Sequence, residues 1–167
     1  MLHDVVKATS TEVDWVFFGM CPESLRPFIR ELHDAVPFED YPTKLASLNL
    51  DLAVAPLERN RFNEAKSNLR LLEYGILGWP TIASDIHPYQ QGPVCRVPNN
   101  PAAWIRAVRE RVQDPDALAR EGDRLREWVR SGWMLEDHLA EWLAVLGIDD
   151  TGVLMPPQRA VCLTARN

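Results

Sequence analysis

The sequence predicts an α/β fold: a Rossmann-like three-layer domain over residues 1–148, with a mostly parallel sheet of about five strands and a C-terminal helical layer. Three observations predict it. Short apolar runs (Val13–Gly19, Leu52–Ala55, Thr81–Ser84) alternate with stretches of helical periodicity. Asp51–Asp85 reads as strand, loop, helix, strand, the unit of a right-handed parallel crossover. The chain then turns wholly helical after Pro101.

The elements follow in order. Leu2–Thr9 reads as a short helix with Leu2, Val5 and Val6 on its apolar side. Val13–Gly19 is rich in β-branched and aromatic residues and reads as a strand. A helix is expected from Pro22 or Glu23 to His33, with Leu25, Phe28, Ile29 and Leu32 on one face, although Pro27 sits within it. Val36–Phe38 is expected as a proline-bearing edge strand, and Tyr41–Leu48 as a helix turning Leu45 and Leu48 inward.

Leu52, Val54 and Ala55 then form a strand that stops at Pro56. After a polar loop, Ala65–Tyr74 opens a helix carrying Leu69, Leu72, Ile76 and Leu77, widened by Leu71. Gly78 suits its left-handed end and Pro80 stops it. Thr81–Ser84 and Val94–Val97 complete the strands. Asn99 or Asn100 caps a helix beginning at Pro101, and Asp114 caps one beginning at Pro115. A last helix runs from Met134 to Leu146, with Leu135, Leu139, Trp142, Leu143 and Leu146 as its apolar residues. Residues 149–167 lack any clear period and read as a tail.

Composition bounds the function. The chain of 167 residues carries a net charge of -6, which argues against nucleic acid as a partner. No apolar run reaches membrane-spanning length. Cys21, Cys95 and Cys162 have no metal-ligand spacing and read as incidental reduced thiols.

The chemistry gathers in the helix of the organising stretch. Its first amides lack internal partners, and its dipole makes that end positive. Lys66, Ser67 and Asn68 at that end add an ammonium, a hydroxyl and an amide, a set suited to a diphosphate. Glu73 is expected two turns on and about 10 Å away, where a carboxylate could accept both hydroxyls of a ribose. The bland reading, commonplace solvated charges on a crossover helix, competes with this one. His87 follows the Ser84–Asp85 strand end but reads as a solvated loop histidine. Trp104, Trp128, Trp133 and Trp142 read as packing.

Taken together, Asp51-Leu-Ala-Val-Ala-Pro-Leu57, Asn63-Glu-Ala-Lys-Ser-Asn-Leu-Arg-Leu-Leu-Glu73-Tyr and Gly78-Trp-Pro-Thr-Ile-Ala-Ser-Asp85 resemble the C-terminal, donor-binding domain of GT-B glycosyltransferases, bacterial group-1 type. The resemblance spans Val13 to Leu146. It implies an enzyme moving a sugar from a nucleoside diphosphate to a glycan or lipid-linked acceptor in cell-surface polysaccharide synthesis. Lys66, Ser67 and Asn68 would then hold the diphosphate and Glu73 the ribose. The family's first glutamate falls at Ala65, one place from Glu64, so Glu64 through a shifted loop, or Lys66, would face the transferred sugar.

Lys66 and Glu64 are thus the expected catalytic residues, with no metal or other cofactor required. The expected location is cytoplasmic, extending to the inner face of the membrane. The N-terminal domain of such enzymes and the first strand of the donor domain are not in this sequence, so a further domain or partner chain is expected and turnover by this chain alone is not. Trp133 and Trp142 would then be left exposed. The alternatives are a non-catalytic Rossmann-like module binding a nucleotide or a protein, and a sugar-nucleotide epimerase.

Overall fold

A computed structural model of the protein describes residues 1–148; the expected tail over 149–167 lies outside the described residues. The chain divides into two units, Met1–Arg130 and Ser131–Asn167.

The first unit is α/β and all its strand pairs are parallel. Helix α1 (Leu2–Thr9) leads to β1 (Val16–Gly19), and β2 (Glu31–Asp34) pairs with β1 from Val16↔Glu31 to Gly19↔Asp34. Helix α2 (Tyr41–Ser47) precedes β3 (Ala53–Ala55). A one-turn helix α3 (Arg61–Glu64) and helix α4 (Leu69–Leu77) connect β3 to β4 (Thr81–Ser84), and β5 (Cys95–Val97) follows. These last strands form a second sheet in the order β3-β4-β5. Helices α5 (Pro101–Val112) and α6 (Pro115–Gly132) come next.

Successive residues of β4 point to opposite faces, and the core divides accordingly. Ile82 packs with Val5 and Val6 of α1 and with Trp104 and Val108 of α5. Ala83 packs with Leu71 of α4, Ile86 and Tyr89. A third cluster joins Leu45 of α2, Ala53 and Trp79. Caps fall where the sequence puts them: Asn100 Oδ1 accepts the Ala103 N–H, Asp114 Oδ1 accepts the Ala117 N–H, and Gly78 closes α4 with φ 75°.

Several elements differ from expectation. Among the described residues five strands form, but as two small sheets with no hydrogen bonding between β1 and β3. The expected helix up to His33 is instead a 3-10 segment, Glu23–Phe28, followed by β2. Pro27 and the extended backbone at Ile29 end it early. The expected edge strand Val36–Phe38 is not formed; Phe38–Asp40 is a 3-10 turn with Phe38 88% exposed.

Helix α4 starts at Leu69, later than expected, because Asn60 caps α3 with its side chain and the chain must restart. Its buried stripe is Leu71 and Gly75, whereas Leu69 and Ile76 are exposed. Gly75 sets that rotation: a Cβ there would lie 2.6 Å from Val129 Cγ2 of α6, so the bare backbone packs directly on that helix.

In the second unit a 3-10 turn, Leu135–His138, precedes α7 (Leu139–Leu146), which Gly147 ends at φ 69°. The expected helix from Met134 is thus shorter, and α7 buries none of its residues. Trp133 and Trp142 are 40% and 57% exposed, so the reading of these two as packing is not met. Trp104 is fully buried, and Trp128 packs partly buried against the Leu71 cluster. Among the described residues no helix is long and apolar enough to cross a membrane, and Cys21 and Cys95 are free thiols.

Candidate functional site

The carboxyl ends of β3, β4 and β5 lie along one edge of their sheet, and their exits are tied together. Ser84 Oγ, fully buried, accepts the Leu57 N–H at 2.8 Å and donates to Asn99 Oδ1 at 2.6 Å. Asn99 Nδ2 donates to the Leu57 carbonyl at 2.6 Å, closing the ring. Beyond it, Asn63 Nδ2 donates to the Glu58 carbonyl, and Asn60 Oδ1 accepts the Asn63 N–H. The loop between β3 and α4 is therefore held by side-chain amides, which satisfy backbone groups that no ladder reaches.

Glu64 belongs to this bracing. Its Oε2 accepts the His87 N–H at 3.2 Å and its Oε1 faces Arg59 Nε at 3.4 Å. Arg59 in turn donates to the Asp85 carbonyl at 2.8 Å. The His87 ring itself is exposed.

Lys66 and Ser67 are exposed and lie in the approach to α4, not in its first turn. The expected spacing of two helical turns between Lys66 and Glu73 therefore does not apply along the axis. Lys66 Nζ stands 5.0 Å from the centre of the Phe62 ring, a cation–π contact. Asn68 occupies the N-cap position, but its side chain caps nothing; its carbonyl accepts the N–H groups of Leu71 and Leu72. The amides of Leu69 and Arg70 have no intrahelical acceptor, and the side chains of both residues are exposed.

Glu73 sits one turn into α4, with its side chain 21% exposed. Its Oε2 accepts from Arg70 Nη1 at 2.8 Å and from the Tyr41 hydroxyl at 3.2 Å. Arg70 Nη1 also donates to the Tyr41 oxygen at 2.7 Å, so the three groups form a closed triangle. The Arg70 guanidinium lies 5.7 Å from the Tyr74 ring centre. Tyr41, Arg70 and Tyr74 line a cavity of about 500 Å³ together with residues of β1 and β3 and with Met20 and Leu57, which follow those strands. Glu73 stands next to this lining.

Burial pushes the Tyr74 hydroxyl up to about 12, with Arg70 opposing part of the shift. Burial likewise raises Tyr41 and Tyr89. All three hydroxyls stay protonated at neutral pH and can donate.

The structure thus brings Glu73 together with Arg70 and Tyr41, and Lys66 with Ser67 at the open end of α4; it sets Glu64 apart, toward His87. Sequence reasoning missed Arg70, Tyr41 and the Ser84–Asn99 clasp. Arg70 was legible as a helical ion pair with Glu73, three positions on. Tyr41 and Asn99 meet their partners across distant chain segments, and no local signal marks them. Compared with family models, curated proteins and solved structures, the chain matches none.

Proposed function

We propose that this chain is the donor-binding half of a glycosyltransferase, a Rossmann-like domain that holds a nucleoside-diphosphate sugar for transfer to a glycan or lipid-linked acceptor. The observation that carries the reading is the state of α4. Among the described residues the Leu69 and Arg70 amides at its amino end meet no acceptor, Lys66 and Ser67 are exposed beside it, and Glu73 lies one turn further in. A diphosphate at that end would meet backbone donors, a positive dipole and a flexible ammonium.

Arg70 and Tyr41 both bind Oε2 of Glu73, and Oε1 accepts no hydrogen bond among the described residues. That oxygen supports the reading of Glu73 as the ribose acceptor, with its partner groups fixing the carboxylate plane. Catalysis of this class rests on positioning and on neutralising the leaving diphosphate, and Lys66 with the helix amides is suited to the second task. Glu64 keeps the weaker part of the proposal, contact with the transferred sugar, because its carboxylate is engaged with His87 and Arg59.

The test is an amide-resolved NMR titration of the chain with UDP, GDP, ADP and TDP. The proposal expects saturable shifts at Ser67, Asn68, Leu69 and Arg70 with at least one of them. Shifts confined to other surfaces would remove the donor site. Saturable binding there, with no transfer once a complementary acceptor domain is supplied, would favour the non-catalytic module.

A further inference from the structure

Glu73 has two oxygens to offer a ligand, and its neighbours occupy one of them. A carboxylate oxygen carries two lone pairs. Oε2 accepts from Arg70 Nη1 at 2.8 Å and from the Tyr41 hydroxyl at 3.2 Å, which fills both. Oε1 accepts no hydrogen bond among the described residues, and the side chain is 21% exposed. The Tyr41 oxygen itself accepts from Arg70 Nη1 at 2.7 Å, which directs its one proton to Glu73. Burial raises the Tyr41 hydroxyl above its ordinary range and keeps it a donor at neutral pH.

Both donors are held from elsewhere. The Tyr41 ring stacks on Phe18 of β1, with 5.5 Å between centres and 12° between planes. One turn on in α2, Lys44 Nζ lies 3.0 Å from His33 Nδ1 of β2, and His33 Nε2 lies 2.9 Å from Glu31 Oε2. Phe18 and His33 are paired across β1 and β2, so α2 is seated on that sheet at two points. The Arg70 guanidinium lies over the Tyr74 ring. Moving either side chain away from Oε2 therefore breaks a further contact.

We propose that Tyr41 and Arg70 are positioning residues that restrict Glu73 to a single ribose hydroxyl, bound at Oε1, and so set which pentose the site accepts. An unencumbered carboxylate takes a vicinal diol with one hydroxyl on each oxygen. With Oε2 filled, only one of the 2′ and 3′ hydroxyls finds an acceptor, and a nucleotide lacking the other is held as well as the ribonucleotide. The site therefore admits one class of deoxynucleoside diphosphate and rejects the other. The inference rests on the nucleotide-binding reading of Glu73 proposed above and adds the pentose class to it.

The experiment is calorimetric titration of the full chain with UDP, GDP, ADP and ribothymidine diphosphate, each beside its 2′-deoxy and 3′-deoxy forms. The expected result, for the base that binds, is one deoxy form within about twofold of the ribonucleotide and the other about tenfold weaker. Tyr41→Phe frees a lone pair of Oε2 and keeps the ring on Phe18, so the tolerated deoxy form should then bind about threefold more weakly than the ribonucleotide. A merely structural loss would weaken the ribonucleotide and both deoxy forms alike, and that outcome overturns the role of Tyr41. The comparison in the parent chain needs no variant. Equal loss with both deoxy forms means that Glu73 takes both hydroxyls, which overturns this proposal and leaves the nucleotide site standing. No loss with either form removes Glu73 from the ribose, and no binding by any of these ligands removes the nucleotide site itself; each overturns the proposal.

Discussion

Arg70 Nη1 stands 2.8 Å from Glu73 Oε2 and 2.7 Å from the Tyr41 hydroxyl, so one guanidinium nitrogen joins a carboxylate and a phenol from two separate helices. The arrangement ties α2 to α4. Tyr41→Phe removes two of the three contacts while keeping the ring that stacks on Phe18 at 5.5 Å. The expected cost is about 0.5–1.5 kcal/mol of folding stability, measured by urea unfolding. An unchanged midpoint would mean that the triangle does not form in solution.

Alkaline stability follows from Tyr74. Its folded-state value of about 12 lies above the ordinary 10 because burial disfavours the phenolate. The unfolded chain therefore loses this proton first, and stability is full below pH 10 and falls as pH rises toward 12. Tyr41 and Tyr89 shift in the same direction. Tyr74 alone accounts for a loss of about 2–3 kcal/mol over that window. Unfolding free energy measured from pH 8 to 11.5 should decline, and Tyr74→Phe should flatten the decline. An equal slope in the variant would contradict the burial of that hydroxyl.

Gly122 of α6 lies against the carbonyl of Gly78, where an added Cβ would sit 2.1 Å from the oxygen. That oxygen is backbone, so relief requires a helix to move. Gly122→Ala should cost about 2–4 kcal/mol, visible as a lower melting temperature. A variant as stable as the parent would show that α6 does not dock there.

Ser84→Ala should open the clasp over the strand ends. It leaves the Leu57 N–H without its acceptor and Asn99 Oδ1 without its donor. A loss of about 1–3 kcal/mol is expected, together with faster exchange of the Leu57 amide. Slow exchange of that amide in the variant would assign its protection to something else.

Much of this architecture was legible. The βαβ unit at Asp51–Asp85, the left-handed Gly78 and the caps at Asn100 and Asp114 follow from local chemistry, and the structure has them. Leu32 fits a helical face with Leu25 and Phe28, so the sequence predicts helix as far as His33; pairing of Glu31–Asp34 with β1, a contact distant in sequence, decides otherwise. The open end of α4 was anticipated, but its start was not. Asn60 and Asn68 are both good caps, and only folding shows that the chain uses a short helix at one and begins again at the other. The partners of Glu73 divide the same way: Arg70 is local and readable, Tyr41 is not.

The most direct test of the central claim is calorimetric titration of the chain with UDP, GDP, ADP and TDP, each beside its nucleoside, for the parent, Glu73→Ala and Lys66→Ala. The account predicts that one diphosphate binds and that Glu73→Ala weakens it about tenfold, or about 1.4 kcal/mol. It also predicts that Lys66→Ala weakens the diphosphate and spares the nucleoside. Absence of binding by all four, or an affinity indifferent to Glu73→Ala, would contradict it.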